Sequence, residues 1–179
     1  VDLGSDDYNL PDYFGGKRWT YYRLRTESHN TVLINNQNQD ERGRAPVIES
    51  DFSDPLQPYV AIDLKGAYPK LLAAHTRRMW LEQGRRVVLV DSLQAASQPV
   101  DALWGMVTDA EVQLRGNQAV LVKGGRSVTA IVYTPAGAVF EVVPTQPPSA
   151  AENQNRGTRK LVVRLPGKVD RAEIVVTLE

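Results

Sequence analysis

A chain of 179 residues with 42% hydrophobic and 23% charged side chains is long enough to bury the core of one domain, and we expect a single domain over 1–179. Its 21 basic and 21 acidic residues cancel, which excludes a surface built globally for nucleic acid, so any preference for anions has to be local. No apolar run approaches the roughly 20 residues that would span a bilayer, and the absence of cysteine excludes disulfides, thiolate metal sites and cysteine nucleophiles.

Residues 1–18 carry Gly4, Pro11, Gly15 and Gly16 among Asp and Asn, a composition that predicts a loop, with Tyr8, Tyr13 and Phe14 pinning it to the body. Strict alternation then predicts a strand over 19–25, with Trp19, Tyr21, Arg23 and Arg25 on one basic, aromatic face. The next strand is 31–35, entered through Ser28-His29-Asn30-Thr31 and left through the polar turn 35–44. Segments 45–52 and 59–65 follow as strands, and a further one starts near Leu72. Gln83-Gly84 between 76–82 and 85–92 is a hairpin signal, and 104–108, 110–114, 119–123 and 127–133 recur at the spacing of an all-β fold, about 8–12 residues. A strand at 138–143 precedes the Pro-, Gln- and Asn-rich stretch 144–157, expected as an exposed loop. The alternating runs 160–165 and 171–178 each have one apolar face. Many short strands and no long helix predict an all-β, two-sheet antiparallel β-sandwich.

Two constellations carry candidate chemistry. The chain has only two histidines, His29 and His75, and with one carboxylate they would form a zinc-type site with an open position. Asp51 is the preferred carboxylate and Glu49, two residues earlier, is the alternative. The competing reading is one histidine hydrogen-bonded under a loop and one at the surface. The second constellation is Lys17, Arg18, Trp19, Tyr21, Arg23 and Arg25, with Arg77 and Arg78 beside His75. Arginine forks bind carboxylate and sulfate, and aromatic faces stack on sugar rings, so this set suits an acidic polysaccharide. Its bland alternative is a solvated strand face. No Walker loop, Rossmann glycine pattern, HExxH helix or serine elbow is present.

The runs GSDDYNLPDYF, RWTYYRLRTESHNTVLINNQNQ, AIDLKGAYP and HTRRMWLEQGRRVVLVDSL together resemble the C-terminal region of the heparinase II/III-like polysaccharide lyases, over nearly the whole chain. The resemblance implies a β-sandwich that follows an N-terminal helical domain, with the substrate cleft between them. The opening at Val1, with no initiator Met, fits the C-terminal part of a longer chain. It implies a divalent metal, zinc in most members, on His29 and His75. It also implies β-elimination at a uronic acid, with the catalytic Tyr and the Asn/His pair supplied by the helical domain. Several members carry a substrate-facing histidine two residues before the His-Asn-Thr strand, where this chain has Glu27. The expected partners are an acidic polysaccharide and that helical domain, with no nucleic acid and no membrane span, and the expected location is periplasmic or secreted. The alternative is a carbohydrate-binding or structural sandwich without catalysis.

Overall fold

A computed structural model describes residues 1–179, nearly all of the regular structure being strand. Twelve strands form two antiparallel sheets, one of four strands and one of eight. The small sheet contains β1 (Val32–Ile34), β6 (Ala102–Thr108), β11 (Arg159–Arg164) and β10 (Glu141–Pro144), in that order. The large sheet runs β2 (Val47–Asp51), β3 (Tyr59–Asp63), β4 (Leu72–Glu82), β5 (Arg86–Ala95), β12 (Arg171–Leu178), β9 (Arg126–Thr134), β8 (Gln118–Lys123) and β7 (Glu111–Arg115). The sandwich expected from the strand rhythm is the observed architecture.

Local chemistry explains the hairpins. Gln83 and Gly84 both sit at positive φ, 51° and 66°, in the three-residue turn 83–85 that joins β4 to β5, the reversed backbone a tight hairpin turn needs to match the twist of its strands. Alternation then sorts the side chains. Val32, Ile34, Trp104, Leu161 and Val163 of the small sheet meet Leu93, Ala119, Ala130, Val132, Ile174 and Val176 of the large one in a single buried core. Each fully buried aliphatic side chain of this kind contributes roughly 1.5–3 kcal/mol.

The small sheet is covered on its second face as well. Lys160 and Val162 point away from the core yet are buried, because the N-terminal segment lies over them. The one apolar face read from the sequence for this strand is therefore an undercount. Gly105 on the neighbouring strand makes the room, since a Cβ there would stand 2.1 Å from Lys160 Cε.

Three other expectations change. Residues 19–25 do not form a strand; Arg18–Thr20, Tyr22–Leu24 and Thr26–Ser28 are successive single 3-10 turns, and their alternation reflects a chain that buries Tyr22 and Thr26 while crossing the sandwich. In the first loop Leu10 and Tyr13 do the pinning, whereas Tyr8 and Phe14 stay exposed, Phe14 by 73%. The 144–157 stretch is irregular as expected, but not simply exposed. Thr145, Glu152 and Asn155 are buried, and Glu152 Oε2 accepts the Tyr22 backbone N–H at 2.6 Å while Asp6 accepts that of Asn153 at 3.1 Å.

Candidate functional site

The His-Asn-Thr segment lies where the N-terminal segment, the small sheet and the large sheet meet, and Asn30 holds all three. Its Oδ1 accepts the Val107 N–H at 2.6 Å, its Nδ2 donates to the Val1 carbonyl at 2.9 Å, and its own carbonyl accepts Arg77 Nη1 at 2.8 Å. Beyond the strand, Tyr68 of the DLKGAYP run receives the Ile34 N–H at 3.3 Å and donates to the Gln37 carbonyl at 3.2 Å, and burial pushes its hydroxyl up to about 12.

Below Asn30 is a buried ionic cluster on the core-facing side of β4 and β5. Arg77 grips Asp91 with Nε and Nη2 at 2.9 and 2.8 Å, and His75 Nε2–H donates to the same carboxylate at 3.2 Å. His75 and Asp91 are both fully buried, and His75 Nδ1 has no partner. Burial would raise the Asp91 pKa, but the His75 bond and the charge and bonds of Arg77 outweigh it and hold the carboxyl below its ordinary value.

His29, Asp51 and His75 do not come together as a ligand set. Asp51 and Glu49 pair with Tyr59 and Ala61, which pair with Trp80 and Arg78, so both carboxylates share the face of Arg78. His75 and Arg77 alternate with Arg78 along β4 and occupy the opposite face, so the sheet itself separates them. Asp51 instead accepts the Ser53 N–H at 2.8 Å, and Glu49 pairs with Arg78 at 2.6 Å and with the Tyr59 hydroxyl at 2.9 Å. No other group of three His, Asp or Glu side chains could hold a metal ion. The buried carboxylate that His75 does meet already carries a two-pronged guanidinium, so the residues present do not fit the implied zinc site.

His29 is half-exposed rather than directed inward. Its Nδ1–H donates to Asp2 Oδ2 at 2.9 Å, which leaves Nε2 free. Burial raises the Asp2 pKa, but the His29 bond, the Gly4 N–H and nearby positive charge lower it further, to a net depression. Beside His29 is a cavity of about 270 Å³ lined by Trp19, Leu24, Thr26, Asn38, Asp40 and Glu41 among others.

The four expected substrate-contact residues are spread along the 3-10 turns. Trp19 lines the cavity. The Tyr21 hydroxyl donates to the Pro11 carbonyl, and its ring stacks on Tyr13 at 6.1 Å. Arg23 donates to Asn155 Oδ1 at 2.7 Å and to the Ser5 carbonyl at 2.9 Å, while Arg25 pairs with Glu27 at 3.0 Å. Arg18 is the residue whose role alternation obscured. Its guanidinium lies 4.9, 5.7 and 5.3 Å from the rings of Tyr13, Phe14 and Trp19. Lys160 is the residue that sequence reasoning missed, because a lysine in an alternating strand reads as solvent-facing; it donates to the Glu27 carbonyl at 2.7 Å.

Sequence and structure comparisons bear on the assembly as a whole. No curated protein matches the chain. Among solved structures it is similar to a heparinase III, the BT4657 gene product, with a TM-score of 0.73 at 17% identity over 99% of this chain and 27% of that one. It is also similar to a mutant of heparan sulfate lyase HepC from Pedobacter heparinus, with a TM-score of 0.72 at 15% identity over 99% of this chain and 27% of that one. The chain thus spans about a quarter of the length of these solved proteins. The family described as heparinase II/III-like, C-terminal, matches residues 1–177, and the chain belongs to that family.

Proposed function

We propose that this sandwich is one wall of the polysaccharide site of a lyase that cleaves uronic-acid-containing chains by β-elimination. The observation that supports it best is the Arg18 guanidinium, which has no carboxylate partner, set against the rings of exposed Phe14 and Trp19 next to exposed Lys17; Arg23, tied to Asn155 and the Ser5 carbonyl, adds a further charge without a carboxylate partner. Unpaired guanidinium groups backed by aromatic rings attract carboxylate and sulfate groups, and the rings offer stacking faces to the sugar. The family membership and the likeness to HepC, a heparan sulfate lyase, point the same way.

β-Elimination needs the uronate carboxylate neutralised, a base to take the C5 proton and an acid for the departing O4. The residues of this chain bind and orient. Arg18 and Arg23 provide fixed positive charge, and Glu27, the carboxylate that would repel a uronate, is offset by Arg25 at 3.0 Å. The proton-transfer groups belong, on this reading, to the helical domain of the parent enzyme.

The test is calorimetric titration of this chain with heparin and alginate oligosaccharides across a salt series. Binding that weakens with salt, and that falls at least tenfold in an Arg18→Ala, Arg23→Ala double variant, is the expected result. No binding to any uronate polymer, or unsaturated uronate released by this chain alone, would sink the reading.

A further inference from the structure

Lys160 is a cation buried without a carboxylate partner. It is 2% exposed, its ammonium lies over Gly105, where a Cβ would stand 2.7 Å from Nζ, and its one hydrogen bond goes to the Glu27 carbonyl at 2.7 Å. A buried charge so thinly satisfied is costly, and packing alone would be served better by an apolar chain of the same length. Glu27 supplies the opposite charge that Lys160 feels. The Glu27 carboxylate is itself held by Arg25 Nη2 at 3.0 Å, and both of those side chains are partly exposed. Glu27 therefore stands between two cations, one at the surface and one buried.

The other groups near Lys160 do not replace it. Tyr22 lies in the field of Glu27 and Arg25, and burial pushes its phenol up to about 12, so it stays neutral. The strand partners of Lys160, Val107 and Val143, do not titrate, and the amino terminus is a further cation, donating to the Val107 carbonyl. Arg25 and Glu27 alone cancel, so an acidic group that took the guanidinium would leave the Glu27 charge uncompensated beside it. With the Lys160 ammonium the three carry one net positive charge, and the same acidic group brings them to neutrality.

We propose that Lys160 is the buried counter-charge of Glu27, which frees Arg25 to bind a carboxylate or sulfate group of the polysaccharide. Lys160 is a positioning residue, acting through Glu27 without touching the ligand. The inference rests on the polysaccharide reading above and gives Arg25 a ligand role that its pairing with Glu27 would otherwise deny it. Burial pushes the Lys160 ammonium down to about 8, so the counter-charge is present below that pH and lost above it.

The experiment is calorimetric titration with a heparin hexasaccharide from pH 7 to 9.5. Lys160→Met should weaken binding by about fivefold or more at pH 7. Glu27→Gln should tighten binding, and Lys160→Met added to it should change nothing further. Wild-type affinity should fall as pH passes about 8, and that fall should vanish in Lys160→Met, which excludes the amino terminus as its source, and in Glu27→Gln. An equal loss from Lys160→Met with and without Glu27→Gln would mean a merely structural lysine and overturn the proposal. Heparin binding that needs Arg18 and Arg23 but is indifferent to Lys160→Met would overturn it while leaving the proposed function standing. A second measurement needs no ligand: Arg25→Ala leaves Glu27 to Lys160 alone, and the Lys160 ammonium, followed by nitrogen-15 NMR, should then titrate at higher pH. If it does not move, Lys160 and Glu27 are not a pair and the proposal fails whether or not heparin binds. Failure of heparin to bind the wild-type chain would instead remove the proposed function, and the ligand role of Arg25 with it.

Discussion

Arg77 and Asp91 face each other across β4 and β5 and close two parallel N–H···O bonds, at 2.9 and 2.8 Å, around a carboxylate that is fully buried. The third arm of the same guanidinium reaches the Asn30 carbonyl at 2.8 Å, so one side chain ties the large sheet to the His-Asn-Thr segment. Removing it strands a buried charge. Arg77→Met should therefore cost about 3–5 kcal/mol in urea unfolding, the usual range for breaking a buried pair. Removing both charges should cost much less, because burying two well-packed apolar groups in place of an ion pair is often neutral. If Arg77→Met with Asp91→Leu were no more stable than Arg77→Met alone, the orphaned carboxylate would not be the source of the loss.

The same pair bears on metal dependence. A divalent cation at His75 would stand next to a guanidinium that already neutralises the only carboxylate within reach, and the remaining donor, His75 Nδ1, is a single nitrogen. Dialysis of the purified chain against EDTA should leave its thermal midpoint unchanged, and elemental analysis should find well under one zinc per chain. A midpoint that falls on chelation, recovers with zinc and becomes insensitive in His75→Ala would show that His75 takes a metal after all.

The residues explain which parts of this were legible. Strand positions were, because turn chemistry such as Gln83-Gly84 and alternation such as Ile174/Val176 are local signals that the tertiary structure did not override. His75 meets a carboxylate, but that of Asp91 rather than Asp51. Choosing between Asp51 and Asp91 requires knowing which face of which strand pairs with β4, and that register is set by contacts far apart in sequence. The 19–25 turns misled for a different reason: the residue types alternate, but burial there follows the four-residue repeat of the turns, with Tyr22 and Thr26 inside, and a period of four cannot be told from a period of two over so short a span. Lys160 was invisible because its burial depends on a missing Cβ at Gly105 and on a segment more than a hundred residues away.

Lys160 gives the pH prediction its sign. Burial lowers its pKa from 10.5 to about 8, and the nearby Glu27 charge only partly opposes this. Between about 8 and 10.5 the unfolded chain still binds the proton that the folded chain has released, so stability rises with pH as the cost of burying the ammonium is relieved. Tyr22 and Tyr68 act in the opposite sense, since burial raises both to about 12 and the unfolded phenols ionise first above their ordinary value of 10.0. Stability should therefore climb from about pH 8 by on the order of 1–3 kcal/mol, peak near pH 10 and then fall. On the acid side, the stabilisation from the depressed Asp91 is fully present above the ordinary carboxylate value of 3.8 and is lost as pH drops through its lower folded value. Chemical unfolding at intervals from pH 2 to 11 measures the whole profile. Lys160→Met should remove the rise between pH 8 and 10 while leaving the acid limb in place, and a rise that survives the substitution would mean that another group carries it.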